Sequence, residues 1–206
     1  MNNVRRIIGL TGGIATGKTT VSRYLGDTYH LPIFDADIYA REAVNRNSPI
    51  LTAIFNRYGS SVILGEGELN RQALGDIIFN DSQEKLWLES QIHPYVRHQF
   101  EEAIQESESS TIILVIPLLF ESNLTHLVTE IWVVSCPYDQ QIKRLMTRNN
   151  LTEEQAIIRI NSQLPLSQKI AAADVVLEND STLDTLYQQI DQSLINDNIK
   201  SLRRQA

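Results

Sequence analysis

The segment Gly12-Gly13-Ile14-Ala15-Thr16-Gly17-Lys18-Thr19 decides how this chain folds. It matches the pattern G-x-x-x-x-G-K-[ST], and it lies between an apolar run at residues 7–10 and a helical pattern at residues 18–27. In that setting the glycines let the backbone curl so that its N–H groups surround a phosphate, and the N-terminus of the following helix adds its dipole. The segment therefore predicts a strand, a phosphate-binding loop and a helix, with a nucleoside triphosphate as ligand.

Two side chains of this loop have roles that follow from their type and position. Lys18 supplies a mobile cation for the β- and γ-phosphates, and the Thr19 hydroxyl is the predicted ligand of Mg²⁺. We expect ATP to be the nucleotide, with Mg²⁺ bound to it. The loop residues predicted to bind ATP are Gly12, Gly13, Ile14, Ala15, Thr16, Gly17, Lys18, Thr19 and Thr20.

The composition excludes several classes of protein. With 206 residues, 42% hydrophobic and 21% charged, the chain is typical of a globular protein and not of a disordered or fibrous one. Its net charge of −7 is unfavourable for binding long nucleic acids. The single cysteine, Cys136, favours a reducing compartment, and no apolar run approaches the ~20 residues of a membrane helix. Because residues 1–6 also lack the apolar core of a signal peptide, we expect a cytoplasmic protein that binds neither nucleic acid nor membrane.

The apolar runs of the chain predict an α/β fold. Runs without strict alternation, typical of strands buried on both faces, lie at residues 6–10, 31–34, 111–116, 130–134 and 174–177. Helical patterns separate them, which favours a parallel sheet, and two of the connections are far longer than a crossover needs. We expect a single domain with its core at about 1–36, 108–137 and 166–206. A helical substrate-binding insertion at about 37–107 and a lid at about 138–165 complete it.

Several helix boundaries are also predicted. Ser48, followed by Pro49, is a predicted N-cap, Asn70 and Ser82 are predicted N-caps of the next two helices, and a helix end is indicated at Gly59. A break at Asn149-Asn150 precedes a capping box of Thr152 and Gln155, whose helix should end near Pro165.

An acidic pair, Asp35 and Asp37, follows the second predicted strand, at the sheet edge where parallel sheets bind their ligands. A carboxylate there can accept the proton of an attacking hydroxyl or hold water on magnesium. The alternative is that one aspartate caps a helix at residues 38–45. We favour a catalytic role for at least one of them, with Asp37 ahead of Asp35. Arg41, one turn later, could either reach an anionic substrate or pair in solvent.

Beyond the loop, an ordered set of segments resembles the dephospho-CoA kinase family over nearly the whole chain. The set is Gly9-Leu10-Thr11-Gly12-Gly13-Ile14, Asp35-Ala36-Asp37, Leu69-Asn70-Arg71 with Leu74 and Ile78-Phe79, His93-Pro94, Pro117-Leu118-Leu119-Phe120-Glu121, Gln141 with Arg144, Arg148, Arg159 and Gln163, and Ala173-Asp174-Val175-Val176 with Asn179. The resemblance implies a P-loop kinase-type three-layer α/β fold with a five-stranded parallel sheet, a helical substrate-binding insertion and a short helical lid. It implies ATP-dependent phosphorylation of the ribose 3′-hydroxyl of dephospho-CoA, the last step of coenzyme A synthesis.

The resemblance also implies roles for individual residues. Asp37 would deprotonate the 3′-hydroxyl, while Lys18 and Arg144 would stabilise the charge of the transferring phosphoryl group. Further ATP contacts would come from Arg144, Arg148 and Asn179. The substrate-binding residues would be Asp35, Asp37, Arg41, Arg71, His93, Leu118 and Glu121. The alternatives are a solvated basic stripe for the two lid arginines, a position at a helix junction for His93 and a core position for Leu118.

The sequence departs from the family pattern at two places. Ala15-Thr16 stands where the family usually has Gly-Ser, which should stiffen the loop slightly without preventing its closure. Val115 stands where the family often has an aspartate, so the third strand offers no carboxylate for the metal. Mg²⁺ would then rely on Thr19, phosphates, waters and one of the Asp35/Asp37 pair.

Two other functions compete with this one. A nucleoside or nucleoside-monophosphate kinase shares the loop, the acidic strand end and an arginine lid, although the segment from Pro117 to Glu121 argues against it. A nucleotide-operated switch is less favoured, because the chain has no Asn-Lys-x-Asp motif for reading guanine. The expected partners are therefore ATP and dephospho-CoA, and the expected state is a monomer or weak homo-oligomer.

Overall fold

The structure, a computed structural model, describes residues 5–203, and the side chains of all of these except 66 and 196–203. The strands are β1 (Arg6–Gly12), β2 (Ile33–Asp35), β3 (Ile63–Leu64), β4 (Glu68–Leu69), β5 (Thr111–Val115), β6 (Glu130–Ser135) and β7 (Val175–Glu178). The α-helices are α1 (Lys18–Tyr29), α2 (Ala36–Glu42), α3 (Pro49–Tyr58), α4 (Arg71–Asn80), α5 (Ser82–Glu106), α6 (Tyr138–Asn149), α7 (Glu153–Asn161), α8 (Leu166–Ala171) and α9 (Leu183–Arg203). Short 3₁₀ helices lie at Gly59–Val62, Gly65–Gly67 and Thr125–Leu127.

The chain forms two compact units. The first, which we call the core unit, combines the residues up to Phe34 with those from Ser107 onward. The second, which we call the inserted unit, is Asp35–Glu106.

The core unit is built on a five-stranded sheet in the order β2-β5-β1-β6-β7. The pairs of β1 with β5, of β1 with β6 and of β6 with β7 are parallel, and Leu10 lies opposite Val115 on one side and Trp132 on the other. All five predicted strands are confirmed, with ends that differ by one or two residues. The order places β1, which leads into the phosphate loop, in the middle of the sheet.

The core of this unit explains why its strands read as continuous apolar runs. Ile8, Leu10 and Trp132 are fully buried, together with Val21 and Leu25 of α1. Because helices cover both faces of a parallel sheet, successive strand residues all lose water, and each buried aliphatic side chain contributes about 1.5–3 kcal/mol.

The inserted unit packs its helices around a small apolar core of Val44, Ile54, Val62, Leu74 and Leu88. Several predicted boundaries are confirmed here. Ser48 caps α3 with Pro49 in the first turn, Asn70 caps α4 by accepting the N–H of Ala73, and α3 ends at Gly59 with φ 63°.

Two predictions for this region are wrong, and one feature of it was not predicted. The unpredicted feature is the short antiparallel pair β3–β4 in the otherwise largely helical insertion, in which Ile63 lies opposite Leu69. The cap of α5 is Asp81 and not Ser82, because the Asp81 carboxylate accepts the N–H groups of residues 83 and 84. The proposed helix junction at His93 is absent, since α5 runs for 25 residues with Pro94 inside it.

The helix boundaries predicted for the stretch after β6 are confirmed in part. α6 ends at Asn149, with Asn150 left-handed at φ 50°, and Thr152 and Gln155 form both bonds of the predicted capping box. However, α7 ends at Asn161, and Pro165 is the N-cap residue of the short helix α8, so a new helix starts where the sequence predicted an end. Proline fits this place because its missing N–H removes no helical hydrogen bond there.

No helix within residues 5–203 combines the length and apolar character needed to cross a membrane.

Candidate active site

The phosphate loop connects β1 to α1, and two of its glycines are required by their surroundings. Gly12 has φ 147°, and a Cβ there would lie 2.3 Å from the carbonyl oxygen of Val134 in β6. Gly17 has φ 111°, and a Cβ there would lie 2.2 Å from Nδ2 of Asn179. Contacts this short exclude any side chain, so the loop depends on glycine where it meets β6 and the end of β7.

Side chains outside the loop hold two of its carbonyl groups. Gln141 Nε2 donates to the Ile14 oxygen at 2.7 Å, and Asn179 Nδ2 donates to the Thr16 oxygen at 2.8 Å. In a trans peptide the following N–H points away from the carbonyl, so these bonds turn the N–H groups of Ala15 and Gly17 towards the inside of the loop. Inward N–H groups at a helix N-terminus make an anion site, as the sequence predicts.

Two side chains, those of Lys18 and Thr16, close the loop from within. Lys18 Nζ donates to the oxygens of Gly12 at 3.1 Å and Gly13 at 2.8 Å. The buried Thr16 hydroxyl donates to the same Gly13 oxygen at 2.9 Å, so the loop closes with Ala15-Thr16 in it, as predicted. Ala15 itself has φ 61°, in the left-handed region that favours glycine.

Arg144 reaches the loop from α6. Its Nη1 lies 3.5 Å from the Thr16 oxygen, and its Nη2 donates to the Asn179 oxygen at 2.9 Å. Burial raises the pKa of the neighbouring Cys136 thiol, although Arg144 and Lys18 act in the opposite direction, so the thiol stays neutral at physiological pH. The loop thus has two cations beside it and no competing thiolate. Arg148, by contrast, is exposed at the end of α6 and donates to the Asn149 side chain.

The predicted metal ligand is an exposed hydroxyl in the first turn of α1. Thr19 borders a cavity of about 400 Å³ that Thr20 also lines, with Leu183 and Tyr187 of α9 on its other side. Val115 is 3% exposed and packs in the core, so β5 adds no carboxylate. Among residues 5–203 no cluster of three or more His, Cys, Asp and Glu could hold a metal. A single hard oxygen donor fits Mg²⁺, which keeps most of its ligands as phosphates and waters.

The segment after β5 contains an ion pair that the sequence did not reveal. Lys169 of α8 is fully buried, and its Nζ lies 2.9 Å from Glu121 Oε1 and 3.1 Å from the Pro117 oxygen. Glu121 also accepts the N–H of Leu164 at 3.0 Å. Burial pushes the pKa of Glu121 up, but the hydrogen bonds from Lys169 and the backbone outweigh it and leave that pKa below its usual value. Leu118, in the same segment, is half-buried.

The two aspartates of the acidic pair have different environments at the start of α2. Asp35 is the N-cap, and its carboxylate accepts the N–H of Asp37 at 2.8 Å. The pKa of Asp35 is raised, chiefly by burial. The alternative raised for this pair, a capping role for one aspartate, therefore applies to Asp35, although α2 is Ala36–Glu42 and not 38–45. Asp37 is left exposed, with its carboxylate available for chemistry.

The other predicted substrate residues lie on three helices of the inserted unit. Arg71 Nη2 donates to the backbone oxygen of Arg41 at 3.3 Å, so these two arginines are neighbours. His93 is exposed on α5.

Comparison with known proteins gives a consistent result. The family model of dephospho-CoA kinase matches residues 6–185. The dephospho-CoA kinase of Trichormus variabilis is 62% identical over 190 residues, which cover 92% of this chain and 97% of that protein. The dephospho-CoA kinase of a Synechocystis species is 56% identical over 187 residues, covering 90% and 93%.

Solved structures agree with the sequence matches. The crystal structure of TT1252 from Thermus thermophilus has a TM-score of 0.80 at 31% identity, over 93% of this chain and 97% of that one. Dephospho-CoA kinase from Campylobacter jejuni has a TM-score of 0.67 at 28% identity, over 91% and 94%. Shikimate kinase from Bacteroides thetaiotaomicron, with a TM-score of 0.54 at 14% identity over 93% and 98%, shares the fold alone.

Proposed function

This chain belongs to the dephospho-CoA kinase family, and from that premise we propose how its own residues carry the reaction. The activity is ATP-dependent phosphorylation of dephospho-CoA, which gives coenzyme A and ADP. The observation that supports the ATP site best is the pair of bonds from Gln141 and Asn179, which hold the Ile14 and Thr16 carbonyls and so turn the N–H groups of Ala15 and Gly17 inwards. Such a loop binds phosphate oxygens through oriented backbone dipoles.

In the proposed mechanism, two cations stabilise the transferring phosphoryl group. Lys18, released from the Gly12 and Gly13 carbonyls, binds the β- and γ-phosphate oxygens. Arg144 is held beside Thr16 and adds a second, planar cation. Phosphoryl transfer asks the protein mainly for positioning and charge stabilisation, and an arginine at the transferred group can contribute ~10³ or more in rate. Arg148 and Asn179 complete the proposed ATP contacts.

Asp37 is the proposed general base. Its exposed carboxylate is free to accept the proton of the 3′-hydroxyl, while Asp35 fixes the backbone of Asp37 through the N–H bond at 2.8 Å. The two carboxylates thus have different tasks, proton acceptance for Asp37 and helix capping for Asp35. A positioned base contributes roughly 10²–10⁴ in rate.

Mg²⁺ is proposed to bind with ATP at the Thr19 hydroxyl, with one of the Asp35/Asp37 pair as a further ligand. When bound, it neutralises charge on the phosphate oxygens.

The substrate side is proposed to use the helical insertion at about 37–107, with Arg41, Arg71 and His93 as contacts, together with Leu118 and Glu121 of the core unit. The stretch at about 138–165 is the proposed lid. We also propose a cytoplasmic location, supported by the lone buried free thiol of Cys136, and a monomer or weak homo-oligomer. A nucleoside or nucleoside-monophosphate kinase, and a nucleotide switch, are not favoured by the family match.

The reaction is tested by measuring ADP release with dephospho-CoA, AMP, CMP and uridine as acceptors. We expect turnover to depend on dephospho-CoA, and release that is independent of any acceptor would contradict a kinase role.

The base is tested with Asp37→Asn, which should lower kcat by ~10² or more with little change in ATP affinity, since the loop is untouched. Asp76→Asn, an exposed change of the same kind on α4, is the control. A loss confined to ATP binding would instead make Asp37 a metal ligand or a structural residue.

A further inference from the structure

One residue of the phosphate loop, Ile14, is held from both sides by glutamines at opposite ends of the stretch 138–165. Gln141 Nε2 donates to the Ile14 carbonyl oxygen at 2.7 Å. Gln163 Oε1 accepts the Ile14 N–H at 2.9 Å. The two side chains are chemically identical but act with opposite polarity, because a carbonyl needs a donor and an N–H needs an acceptor.

Both glutamines are themselves held in place. Gln141 is 2% exposed, and its Nε2 lies 2.5 Å from where a Cβ on Gly13 would be, so the approach requires glycine at that position. Gln163 precedes Leu164, whose N–H is bound by Glu121 of the buried pair with Lys169. The buried Gln141 side chain therefore loses little entropy when it binds the loop, while the backbone beside Gln163 is fixed by the Leu164 bond.

The two bonds fix the two peptide planes that flank Ile14. The Gln163 bond fixes the plane between Gly13 and Ile14. The Gln141 bond fixes the plane between Ile14 and Ala15, and so it holds Ala15 at its unfavourable φ of 61° with its N–H turned inwards. Without them, Ala15 would gain by relaxing to a negative φ, which would turn that N–H away from the phosphate position.

We propose that Gln141 and Gln163 are positioning residues for ATP, which hold the loop around Ile14 and Ala15 in its phosphate-binding shape through hydrogen bonds of opposite polarity. This inference rests on the proposed function of the loop as the ATP site. It makes the hydrogen-bond polarity of each glutamine, and not only its size, a requirement for ATP binding.

The test uses isosteric changes that affect the two positions differently. Gln163→Glu keeps an acceptor for the Ile14 N–H, and Gln163→Leu removes it. Gln141→Glu removes the donor and places an acceptor against the Ile14 oxygen, while Gln141→Met removes the donor without adding charge. Gln168→Glu, on the exposed face of α8, is the control for added negative charge. The KM for each substrate, kcat, ATP affinity without acceptor and the melting temperature are measured for all five variants.

Relative to Gln168→Glu, we expect Gln141→Glu to raise the KM for ATP at least about tenfold, equivalent to about 1.4 kcal/mol, and Gln163→Glu no more than about threefold. Relative to the unmodified enzyme, Gln163→Leu and Gln141→Met should each raise it about tenfold. The KM for dephospho-CoA should stay within about twofold throughout, because the loop and not the acceptor site is changed.

The inference would be overturned if Gln163→Glu and Gln163→Leu raised the KM for ATP equally. It would also be overturned if the KM for ATP rose across the variants only in proportion to the fall in melting temperature. If Gln141→Glu does not fold, the comparison of Gln163→Glu with Gln163→Leu, together with Gln141→Met, still tests the inference. Failure of the proposed function looks different, because the unmodified protein would then neither bind ATP nor phosphorylate dephospho-CoA.

Discussion

Replacing Lys169 by methionine tests the buried ion pair most directly. The Lys169 side chain is fully buried, and its ammonium group donates to Glu121 at 2.9 Å and to the Pro117 oxygen at 3.1 Å. Methionine retains most of the aliphatic stem and removes only the charged end. The loss therefore reports on the ammonium group and not on a cavity.

The magnitude follows from what remains after the change. Removing one partner of a buried pair costs about 3–5 kcal/mol when the remaining charge is fully buried. The Glu121 side chain keeps 24% of its exposure and the N–H of Leu164, so we expect the lower end of that range or slightly less, about 2–3 kcal/mol. In a chain of this length each kcal/mol lowers the melting temperature by about 2–4 °C, which gives a drop of about 4–12 °C.

The assay is thermal and urea unfolding of the unmodified protein, Lys169→Met, Glu121→Gln and the double variant. Because the two groups are in contact, the double variant should be destabilised by less than the sum of the single changes, by at least about 1 kcal/mol. A melting temperature for Lys169→Met within about 1 °C of the unmodified value, or strictly additive effects, would refute the reasoning.

The pH dependence of this pair has a definite sign. The pKa of Glu121 is lower in the folded state than its usual value of 4.5, so the folded state favours the carboxylate. The pair's contribution to the free energy of unfolding is therefore complete above about pH 4.5 and is lost as the pH falls through the lowered pKa. The difference in stability between the unmodified protein and Lys169→Met should accordingly narrow in acid. A difference that widens below pH 4.5 would contradict this.

Three further predictions concern other parts of the molecule. Arg144→Lys should lower kcat by ~10² or more, because an ammonium group cannot span the Thr16 and Asn179 oxygens as the guanidinium does; a kcat within threefold would contradict this. Ala15→Gly should raise the free energy of unfolding by up to about 1 kcal/mol, since relief of about 1–2 kcal/mol from the left-handed φ exceeds the entropy cost of glycine. In urea unfolding the same change at Ala103, inside α5, should instead lower the free energy of unfolding by about 0.5–1 kcal/mol, and a loss of that kind at Ala15 would contradict this. The pKa of Glu84 is lowered to about 2, first by its bond from Arg57, so the unmodified protein should lose stability as the pH falls from 4.5 to 2 and this carboxylate is protonated. Glu84→Gln has no carboxylate at this position and should lose less stability over the same range in acid titrations. Identical acid titration profiles for the two proteins would contradict this.

Sequence reasoning succeeded where the determining interactions are local. The phosphate loop, the strands and the caps at Ser48, Asn70 and Thr152 each depend on residues within a few positions of one another. An N-cap is a bond between a side chain and an N–H two or three residues later, so a single window of sequence contains both partners. The error at Ser82 has the same origin, because Asp81 next to it offers an equally good oxygen and the window does not rank them.

The features that sequence reasoning missed depend on residues that are far apart in the chain. Lys169 lies 48 positions after Glu121 in the sequence, and a lysine in the polar stretch before β7 is typical of a solvated residue. The contacts of Gln141 and Gln163 with Ile14 likewise span more than a hundred positions. The resemblance to the family identified both glutamines as members of its lid pattern, but only the three-dimensional arrangement shows that they bind one residue with opposite polarity.

The backbone conformation of Ala15 depends both on its own residue type and on side chains that are distant in the sequence. The sequence pattern leaves this position open, because it is neither of the loop's fixed glycines, yet the backbone there is left-handed at φ 61°. The glycine that the family resemblance implies at this place fits that φ, because glycine adopts left-handed conformations without strain. An alanine is tolerated when something else compensates for a cost of about 1–2 kcal/mol, and two hydrogen bonds of about 0.5–1.5 kcal/mol each, from Gln141 and Gln163, are of the right size. It follows that Ala15→Gly should reduce the loss of ATP affinity in Gln141→Met, because a glycine needs less support to hold the same conformation.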